Sequence, residues 1–293
     1  MFSPSVSAQF LKKLPSPIYK LGAQFWLDKQ WPRHLFIEIC AGCNLACDFC
    51  PRDQGKDHMP WEIFTQIIDE GSKYGSRSYS LHLFNEPMLS PYWSKAIRYI
   101  YKRNRRNKVL LTTNGTAINA KVDELIDSNP DQVFWTWRLE AKFTEETKRK
   151  LKQWQRFRVR FIEEVTPKEA YEEWADWPNV EGRHIHSYGG NVDVSKWNVE
   201  NKKPLRWSCY HLFYAPAIAW NGDILICCAD PKRSSVIGTF PKMTLAEAWQ
   251  GEVMKRLREE QLNGKYSGIC SNCDIWKQTP NIFFGHEYPD KTA

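Results

Sequence analysis

The stretch ICAGCNLACDFCPR, residues 39–52, places Cys43, Cys47 and Cys50 with three and then two residues between them. Three thiolates at this spacing can hold three irons of a four-iron cluster and leave the fourth iron open to a small molecule. A zinc site with a nearby fourth ligand is the alternative, but zinc sites typically use paired C-x2-C spacings. The stretch therefore favours an iron–sulfur centre with one open coordination position.

The composition is that of a globular chain with metal-binding cysteines. Its 293 residues predict about two domains, and 42% apolar residues can bury a sizeable core. The nine cysteines are odd in number and come in short-spaced groups, which favours metal binding in a reducing, cytoplasmic compartment over a disulfide framework. No apolar run is long enough to span a membrane. The net charge of +7 is modest and favours solvated helix faces, with an anionic substrate or a nucleic acid as the alternative.

Six short segments rich in β-branched or aromatic residues recur along residues 34–190, with room for a helix between neighbours. This alternation predicts an α/β fold whose parallel sheet curves into an incomplete barrel of six units. Pro60 to Glu70 is the clearest helix, with Pro60 in its first turn and Gly71 at its end. The predicted strands are Leu35–Cys40, Tyr79–Phe84, Lys108–Thr112, Gln132–Trp137, Phe157–Ile162 and Arg183–His186.

The rest of the chain divides into four further segments. Residues 1–33 form an amphipathic lead-in, which we expect to pack on the body rather than on a membrane surface. Residues 191–204 are a polar linker and residues 281–293 a tail. Between them, residues 205–280 carry a hairpin signal at Asn221-Gly222 and a helix from about Thr244 to Leu262 with a Thr244–Glu247 capping box.

Polar residues follow the predicted strands at their carboxyl ends. In a barrel of parallel strands these ends meet at one mouth, so we expect the groups to lie together. After the first strand come the three cysteines. The later groups are Asn85-Glu86-Pro87, Thr113-Asn114-Gly115, Arg138 with Glu140, and Tyr188-Gly189-Gly190.

With Phe49 before its last cysteine, the Cys43-x3-Cys47-x2-Cys50 motif resembles the signature of radical S-adenosylmethionine (radical SAM) enzymes. The resemblance spans roughly residues 34–190 and implies a partial (β/α)6 barrel, similar to a TIM barrel, with a 4Fe-4S cluster. In that family the open iron binds S-adenosylmethionine, and one electron cleaves it to methionine and a 5′-deoxyadenosyl radical. The radical takes a hydrogen atom from the substrate. An external electron donor of the flavodoxin or ferredoxin type is implied.

The resemblance suggests roles for the residues at the mouth. Glu86, beside Asn85, can accept hydrogen bonds from the cofactor ammonium group. Phe49 offers an aromatic surface to the adenine. The alternatives are structural: Glu86 can form an ion pair and Thr113-Asn114-Gly115 an ordinary turn. The remaining expected contacts are Thr113 and Asn114 to the ribose and Arg138 to the carboxylate.

Arg138 and Glu140 are the candidates for a catalytic role, with a mutual ion pair as the alternative. Two departures from the family pattern weaken any inference about the substrate. The run before Glu86 lacks the usual glycines, and the segment from Trp135 to Glu140 lacks the usual Ser or Asp near a Gly.

A second group of cysteines lies between Cys209 and Cys273. This region resembles the auxiliary-cluster region of SPASM or twitch radical enzymes, which is a small α+β iron–sulfur domain. Four thiolates close a second 4Fe-4S cluster, and a zinc ribbon is the alternative. Cys227 and Cys228 are adjacent on a predicted strand, so they point to opposite faces. Cys228 shares parity with Ile224 and Ile226, which favours the core for Cys228, although Leu225 is apolar as well. The assigned ligands are Cys209, Cys227, Cys270 and Cys273.

These motifs together predict an enzyme that removes hydrogen from a substrate C–H bond, with an auxiliary cluster that accepts an electron. The layout resembles that of twitch-type aminocyclitol dehydrogenases, which implies a two-electron oxidation. A peptide maturase that crosslinks or epimerises its substrate is the rival enzyme, so the partner is a small molecule or a peptide. A zinc-stabilised nucleic-acid-binding module is the rival of another class. It leaves Glu86 and the barrel-like alternation unexplained, so no nucleic-acid partner is expected.

Overall fold

The computed structural model describes residue 27 and residues 29–52, 55–197 and 208–278. Most of the predicted lead-in, residues 198–204 of the predicted linker and the predicted tail lie outside these residues. The chain's division into domains therefore stays a prediction. Within the described ranges, no helix combines the length and the apolar character needed to cross a bilayer.

The first six strands form a parallel sheet in chain order, with helices between them, as the sequence predicts. The sheet continues beyond β1 through β7, which is parallel to β1, and then through the antiparallel β8 and β9. One nine-stranded sheet thus joins both cysteine regions. The strands are β1 (His34–Ile37), β2 (Ser78–Ser80), β3 (Lys108–Thr113), β4 (Gln132–Thr136), β5 (Phe157–Ile162), β6 (Val180–Arg183), β7 (Ala217–Ile218), β8 (Asp223–Leu225) and β9 (Val236–Thr239).

Among the described residues, five α-helices follow the strands of the parallel part and three belong to the later region. They are α1 (Trp61–Ser72), α2 (Trp93–Arg103), α3 (Ile118–Ser128), α4 (Glu145–Trp154), α5 (Lys168–Glu173), α6 (His211–Tyr214), α7 (Leu245–Gln250) and α8 (Glu252–Leu262). Short 3₁₀ helices occupy Pro87–Leu89, Val194–Trp197, Gly268–Cys270 and Ile275–Gln278.

Alternation along the strands explains both the core and the cavity. In β3, Val109 and Leu111 are fully buried in the main hydrophobic cluster, whereas their neighbours Leu110 and Thr112 line an internal cavity. Successive strand residues point to opposite faces, so each strand contributes to the helix-packed core on one side and to the cavity on the other. In complete eight-stranded barrels the interior is filled by side chains; here small inward residues such as Ser80 leave space.

The sixth strand begins earlier than predicted, at Val180 rather than Arg183. Side chains intercept the backbone N–H groups that a strand over residues 183–186 needs for its pairing. The Glu164 carboxylate accepts from the Ile185 N–H at 3.0 Å, and Asp274 accepts from the Ser187 N–H at 2.9 Å. The segment after Arg183 is therefore held by carboxylates rather than by a sheet partner.

The long helix predicted from Thr244 is two helices, because Gly251 adopts an extended conformation with ψ 161° and ends α7 just before α8 begins. The predicted capping box is confirmed, with the Glu247 carboxylate 2.8 Å from the Thr244 nitrogen. Gly71 was expected to end α1, but it lies within the last turn. A Cβ on Gly71 would approach the Tyr79 hydroxyl at 2.5 Å, so packing requires glycine there.

The hairpin between β7 and β8 has a three-residue turn rather than the predicted two-residue turn. The Gly222 N–H donates to the Ala219 carbonyl at 2.9 Å, and Gly222 has φ +90°. A type I turn followed by a left-handed glycine is the usual three-residue solution. Phe240 packs so closely that a Cβ on Gly222 would lie 2.4 Å from its carbonyl oxygen.

Candidate active site

A cavity of about 870 Å³ runs through the parallel part of the sheet, and we call it the barrel cavity. Its lining includes the first residues of three strands, His34, Ser78 and Lys108, and at the other end Cys43 and Asn114. The cavity thus extends from the amino ends of the strands to the mouth at their carboxyl ends. This volume lies in the range of roughly 300 to 1,000 Å³ that is usual for small-ligand sites.

Cys43, Cys47 and Cys50, which we call the cysteine triad, all line this mouth and are half-buried. The loop that carries them is turned tightly, with the Cys50 N–H donating to the Cys47 carbonyl at 3.0 Å. Burial raises the pKa of the Cys50 thiol to about 11, and neighbouring thiols add to the effect. Three thiolates held this close together need a positive centre between them, so this donor set fits an iron–sulfur cluster.

Glu86 is 1% exposed and binds three groups of the mouth. Its carboxylate accepts from the Met88 N–H at 3.1 Å, from the Thr113 hydroxyl at 2.8 Å and from the Asn114 N–H at 2.6 Å. Burial raises the pKa of Glu86 to about 7 despite these hydrogen bonds. Glu86 therefore orients the turn after β3, a role that sequence reasoning did not assign. Its predicted contact with the cofactor ammonium stays a prediction.

The asparagines at the mouth are held by local hydrogen bonds. The Asn114 amide lies 3.5 Å from the Cys43 sulfur and donates to Asn44 at 2.9 Å. Asn85 donates to the Cys40 sulfur at 3.3 Å and accepts from the Leu83 N–H at 2.8 Å. Both amides border the barrel cavity, so the structure brings these two predicted residues to the triad.

Arg138 and Glu140 are separated by the structure. The Arg138 guanidinium lies 4.7 Å from the centre of the Phe49 ring, and both residues line the barrel cavity. Its buried Nε has no hydrogen-bond partner among the residues that the structure describes. Glu140 is exposed and does not belong to the described lining of the cavity. Of the two catalytic candidates, only Arg138 is therefore placed at the mouth.

The interior below the mouth is polar, and its residues His34 and His211 were not singled out from the sequence. Arg160 lies 4.2 Å from the Phe134 ring and pairs with Glu181 at 2.5 Å, and Arg183 lies nearby. The alternation of inward-facing and outward-facing residues along β1, β2 and β5 is the sequence signal that could have located the inward-facing side chains of these strands. Five histidines also line the cavity: His34, His82, His184, His186 and His211.

His34 and His82 are neutral at physiological pH. Burial lowers the pKa of each to about 3, with a further contribution at His82 from the positive charge of Arg160. The His34 Nδ1 lies 2.6 Å from the Ser78 hydroxyl. The buried Nδ1 of His82 has no hydrogen-bond partner within the described part of the chain. Such an atom facing a cavity is suited to a hydrogen bond with a bound ligand.

A second, smaller pocket is lined by all four predicted auxiliary ligands, which we call the cysteine quartet: Cys209, Cys227, Cys270 and Cys273. Burial and mutual repulsion raise the pKa of Cys209 well above its usual range and that of Cys273 to about 12. Four thiolates that converge on one pocket need a cationic centre between them, so this donor set fits a closed cluster.

The structure places Cys227 in this pocket, whereas Cys228 is half-buried and lines the barrel cavity. The parity argument that sent Cys228 to the core does not apply, because β8 ends at Leu225 and the following residues form a turn. The assignment of Cys227 as ligand stays a prediction, and the structure adds that Cys228 faces the other cavity.

The quartet pocket is attached to the parallel part of the sheet through the segment after β6. Gly190 has φ +87°, and a Cβ there would lie 3.2 Å from the Asn272 side chain. The Ser187 hydroxyl donates to Asp274 at 2.8 Å. The residues beside Cys273 are therefore fixed against the end of the barrel, which places the two cysteine groups on neighbouring cavities.

Two family models match the chain. The model of the radical SAM superfamily matches residues 37–135, and the model of the SPASM iron–sulfur cluster-binding domain matches residues 209–274. The first range contains the triad and Glu86, and the second contains the whole quartet. The resemblances stated from the motifs are thereby confirmed.

Solved structures share the fold at low sequence identity. BtrN in complex with AdoMet and 2-DOIA has a TM-score of 0.61 at 17% identity, covering 83% of this chain and 92% of that chain. SuiB of Streptococcus suis bound to the precursor peptide SuiA has a TM-score of 0.61 at 15% identity, covering 85% of this chain and 71% of that chain. The protein anSMEcpe with bound AdoMet has a TM-score of 0.59 at 14% identity, covering 86% of this chain and 90% of that chain. These likenesses concern the fold.

A curated relative from Pyrococcus furiosus, described as a tungsten-containing aldehyde ferredoxin oxidoreductase cofactor-modifying protein, is 26% identical over 109 residues. The match spans 36% of this chain and 30% of that protein. The chain thus matches less than a third of the relative's length.

Proposed function

Because residues 37–135 belong to a radical SAM domain and residues 209–274 to a SPASM domain, we propose that this radical SAM enzyme oxidises a small polar substrate by two electrons. The observation that carries the proposal is the continuity of the barrel cavity, which joins the triad to a polar interior. When bound, the triad's cluster would supply one electron that cleaves S-adenosylmethionine to a 5′-deoxyadenosyl radical, which takes a hydrogen atom from the substrate. The substrate radical would then lose a proton to solvent and its second electron to the auxiliary cluster.

The residues of the mouth hold the cofactors. The triad ligates the first 4Fe-4S cluster, and the quartet ligates the auxiliary cluster. Arg138 binds the carboxylate of S-adenosylmethionine through its Nε, which has no partner within the described part of the chain. The Phe49 ring beneath the guanidinium limits its movement. The other residues assigned to this cofactor are Asn85, Glu86, Thr113 and Asn114, all of which line the cavity.

The interior selects the substrate. Arg160 and Arg183 both line the cavity and both lie within 4 Å of the Glu181 carboxylate. His82 adds a neutral imidazole whose Nδ1 has no hydrogen-bond partner among the described residues. These groups suit a hydroxylated or anionic small molecule, because they supply hydrogen bonds on several sides. About 870 Å³ must also hold S-adenosylmethionine, which leaves substrate space for a small molecule or for a single peptide side chain.

The experiment uses anaerobically reconstituted protein, S-adenosylmethionine, a low-potential reductant of the flavodoxin type and a panel of deuterated polyols, aminocyclitols and hydroxy acids. We expect about eight irons with equal sulfide, from two four-iron cubes. A substrate should transfer deuterium to 5′-deoxyadenosine and yield a product that lacks two hydrogens. A colourless protein with two zinc ions would refute the proposal and support the zinc module. Turnover only with peptides would support the maturase instead.

A further inference from the structure

His211 lies in the wall between the two cavities. Its side chain lines both the quartet pocket and the barrel cavity, and the residue is 7% exposed. It is the first residue of α6, two positions after the quartet's Cys209. The ring packs between Tyr210, at 4.6 Å between ring centres, and Phe36, at 6.0 Å. The imidazole is thus held in position by aromatic neighbours on the side of the barrel cavity.

The ring carries an unused hydrogen-bonding atom at this wall. The buried Nδ1 of His211 has no partner among the residues that the structure describes. One ring nitrogen and the sulfurs of Cys227 and Cys228 all lie within 4.8 Å of one another. Buried polar atoms in native proteins are nearly always hydrogen-bonded, so this nitrogen is expected to find its partner in the loaded protein.

We propose that His211 donates a hydrogen bond to a sulfur of the iron–sulfur centre held by the quartet, and thereby raises that centre's reduction potential. The inference rests on the auxiliary cluster of the proposed function. An imidazole carries at least one N–H in every protonation state, and the partner determines which nitrogen bears it. A hydrogen bond to a cluster sulfur stabilises the more negative reduced state, so the potential rises.

The position of His211 gives this hydrogen bond a use. The same ring borders the space in which the substrate is bound, together with the half-buried Cys228. A centre with a raised potential accepts an electron more readily. His211 is therefore a positioning residue that favours electron acceptance on the side of the pocket that faces the substrate.

The test measures the potential of the auxiliary cluster in the full chain, in a background where the triad cysteines are replaced by Ala so that one cluster remains. A redox titration followed by electron paramagnetic resonance gives the midpoint. His211→Phe keeps a flat ring but removes the donor, and we expect about a tenfold less favourable reduction, which is a shift of 59 mV to lower potential for one electron. His211→Asn keeps an N–H donor and should shift less.

His82→Phe is the matched control for the potential. This variant also removes a buried imidazole whose Nδ1 has no partner among the described residues. Of the two cavities, however, His82 borders only the barrel cavity. We expect it to leave the auxiliary midpoint unchanged, and an equal shift in this variant would overturn the inference.

The iron content separates the remaining outcomes. An unchanged midpoint in His211→Phe with four irons retained would overturn the inference. Loss of those irons in the same variant would also overturn it, since it would show that the imidazole is a ligand rather than a donor. If the background variant with an intact His211 assembles no cluster at all, the proposed function fails first and the inference with it.

Discussion

The triad and the quartet are both sets of cysteines on one sheet, yet the protein exposes them differently. The triad thiols are half-buried at the mouth of the barrel cavity, and three ligands leave a cluster incomplete. In the quartet, Cys209, Cys227 and Cys270 are 8 to 9% exposed, and four ligands close the pocket. Under the proposed function, this difference in thiol number and burial separates the centre that binds S-adenosylmethionine from the one that transfers electrons.

Replacing a triad cysteine should have the largest effect on activity. We expect Cys47→Ala to abolish formation of 5′-deoxyadenosine, because two thiolates do not hold the cluster that binds the cofactor. Chromatography of the products of a reduced, anaerobic reaction measures this loss. Cys40→Ser is the control: Cys40 is 1% exposed and lines neither cavity, so this variant should keep its iron and its cleavage activity. Persistent cleavage by Cys47→Ala would mean that the triad is not the site.

Replacing a quartet cysteine should separate the two centres. Cys270→Ala is expected to lose about half of the iron while slow cleavage of S-adenosylmethionine remains, since the triad is intact. Cys228→Ser should retain all of the iron, because Cys228 faces the barrel cavity. Iron and sulfide analysis distinguishes the two variants. If the Cys228→Ser protein retained only half of its iron, Cys228 rather than Cys227 would be the cluster ligand.

Glu86 makes the mouth sensitive to pH. Its pKa rises from 4.5 to about 7 on folding, because burial disfavours the charged form. The contribution of Glu86 to the stability of the folded state is therefore complete below the pKa of the unfolded state. It is lost as the pH rises through the pKa of the folded state. We expect the free energy of unfolding to fall by roughly 3 kcal/mol between about pH 4.5 and pH 8 from this group.

Urea denaturation at several pH values in this window, for the wild type and for Glu86→Gln, tests that expectation. The variant should lack this part of the decline, since its side chain does not titrate. A decline of the same size in both proteins would show that other groups are responsible.

Asp274 should give the smallest effect, at the contact between the two regions. Its carboxylate accepts from the Ser187 N–H and hydroxyl. Asp274→Asn loses part of this set, and we expect a decrease of about 1 to 2 kcal/mol in the free energy of unfolding. Urea denaturation measures it. Asp176→Asn, at an exposed site, is the control and should change little. Equal stability of the two variants would argue against a contribution of this contact.

Features that depend on neighbouring residues were predictable from the sequence. The spacing of the triad, the six β-rich segments and the Thr244–Glu247 capping box are all local patterns. The bounds of β5 agree with the prediction to the residue, because Phe157 to Ile162 alternates strongly and pairs on both sides. The sixth strand was displaced by three residues because carboxylates distant in sequence hold its backbone.

The candidate site was predictable only in part, for the same reason. The loops after parallel strands meet at one mouth, so the triad, Asn85 and Asn114 could be grouped in advance. The exposure of Glu140 and the full use of the Glu86 carboxylate within the mouth could not, because both depend on contacts across the fold.

The amino-acid sequence alone determined the class of this protein: three closely spaced thiols, a run of alternating strands and helices, and a later group of paired cysteines. The tertiary structure decided which cysteine of the pair 227–228 lines the smaller pocket, which strand faces line the barrel cavity, and that His211 borders both cavities. The physical reason is distance along the chain. Ligand spacing and strand alternation act over a few residues, whereas a pocket is made where segments far apart in sequence pack together.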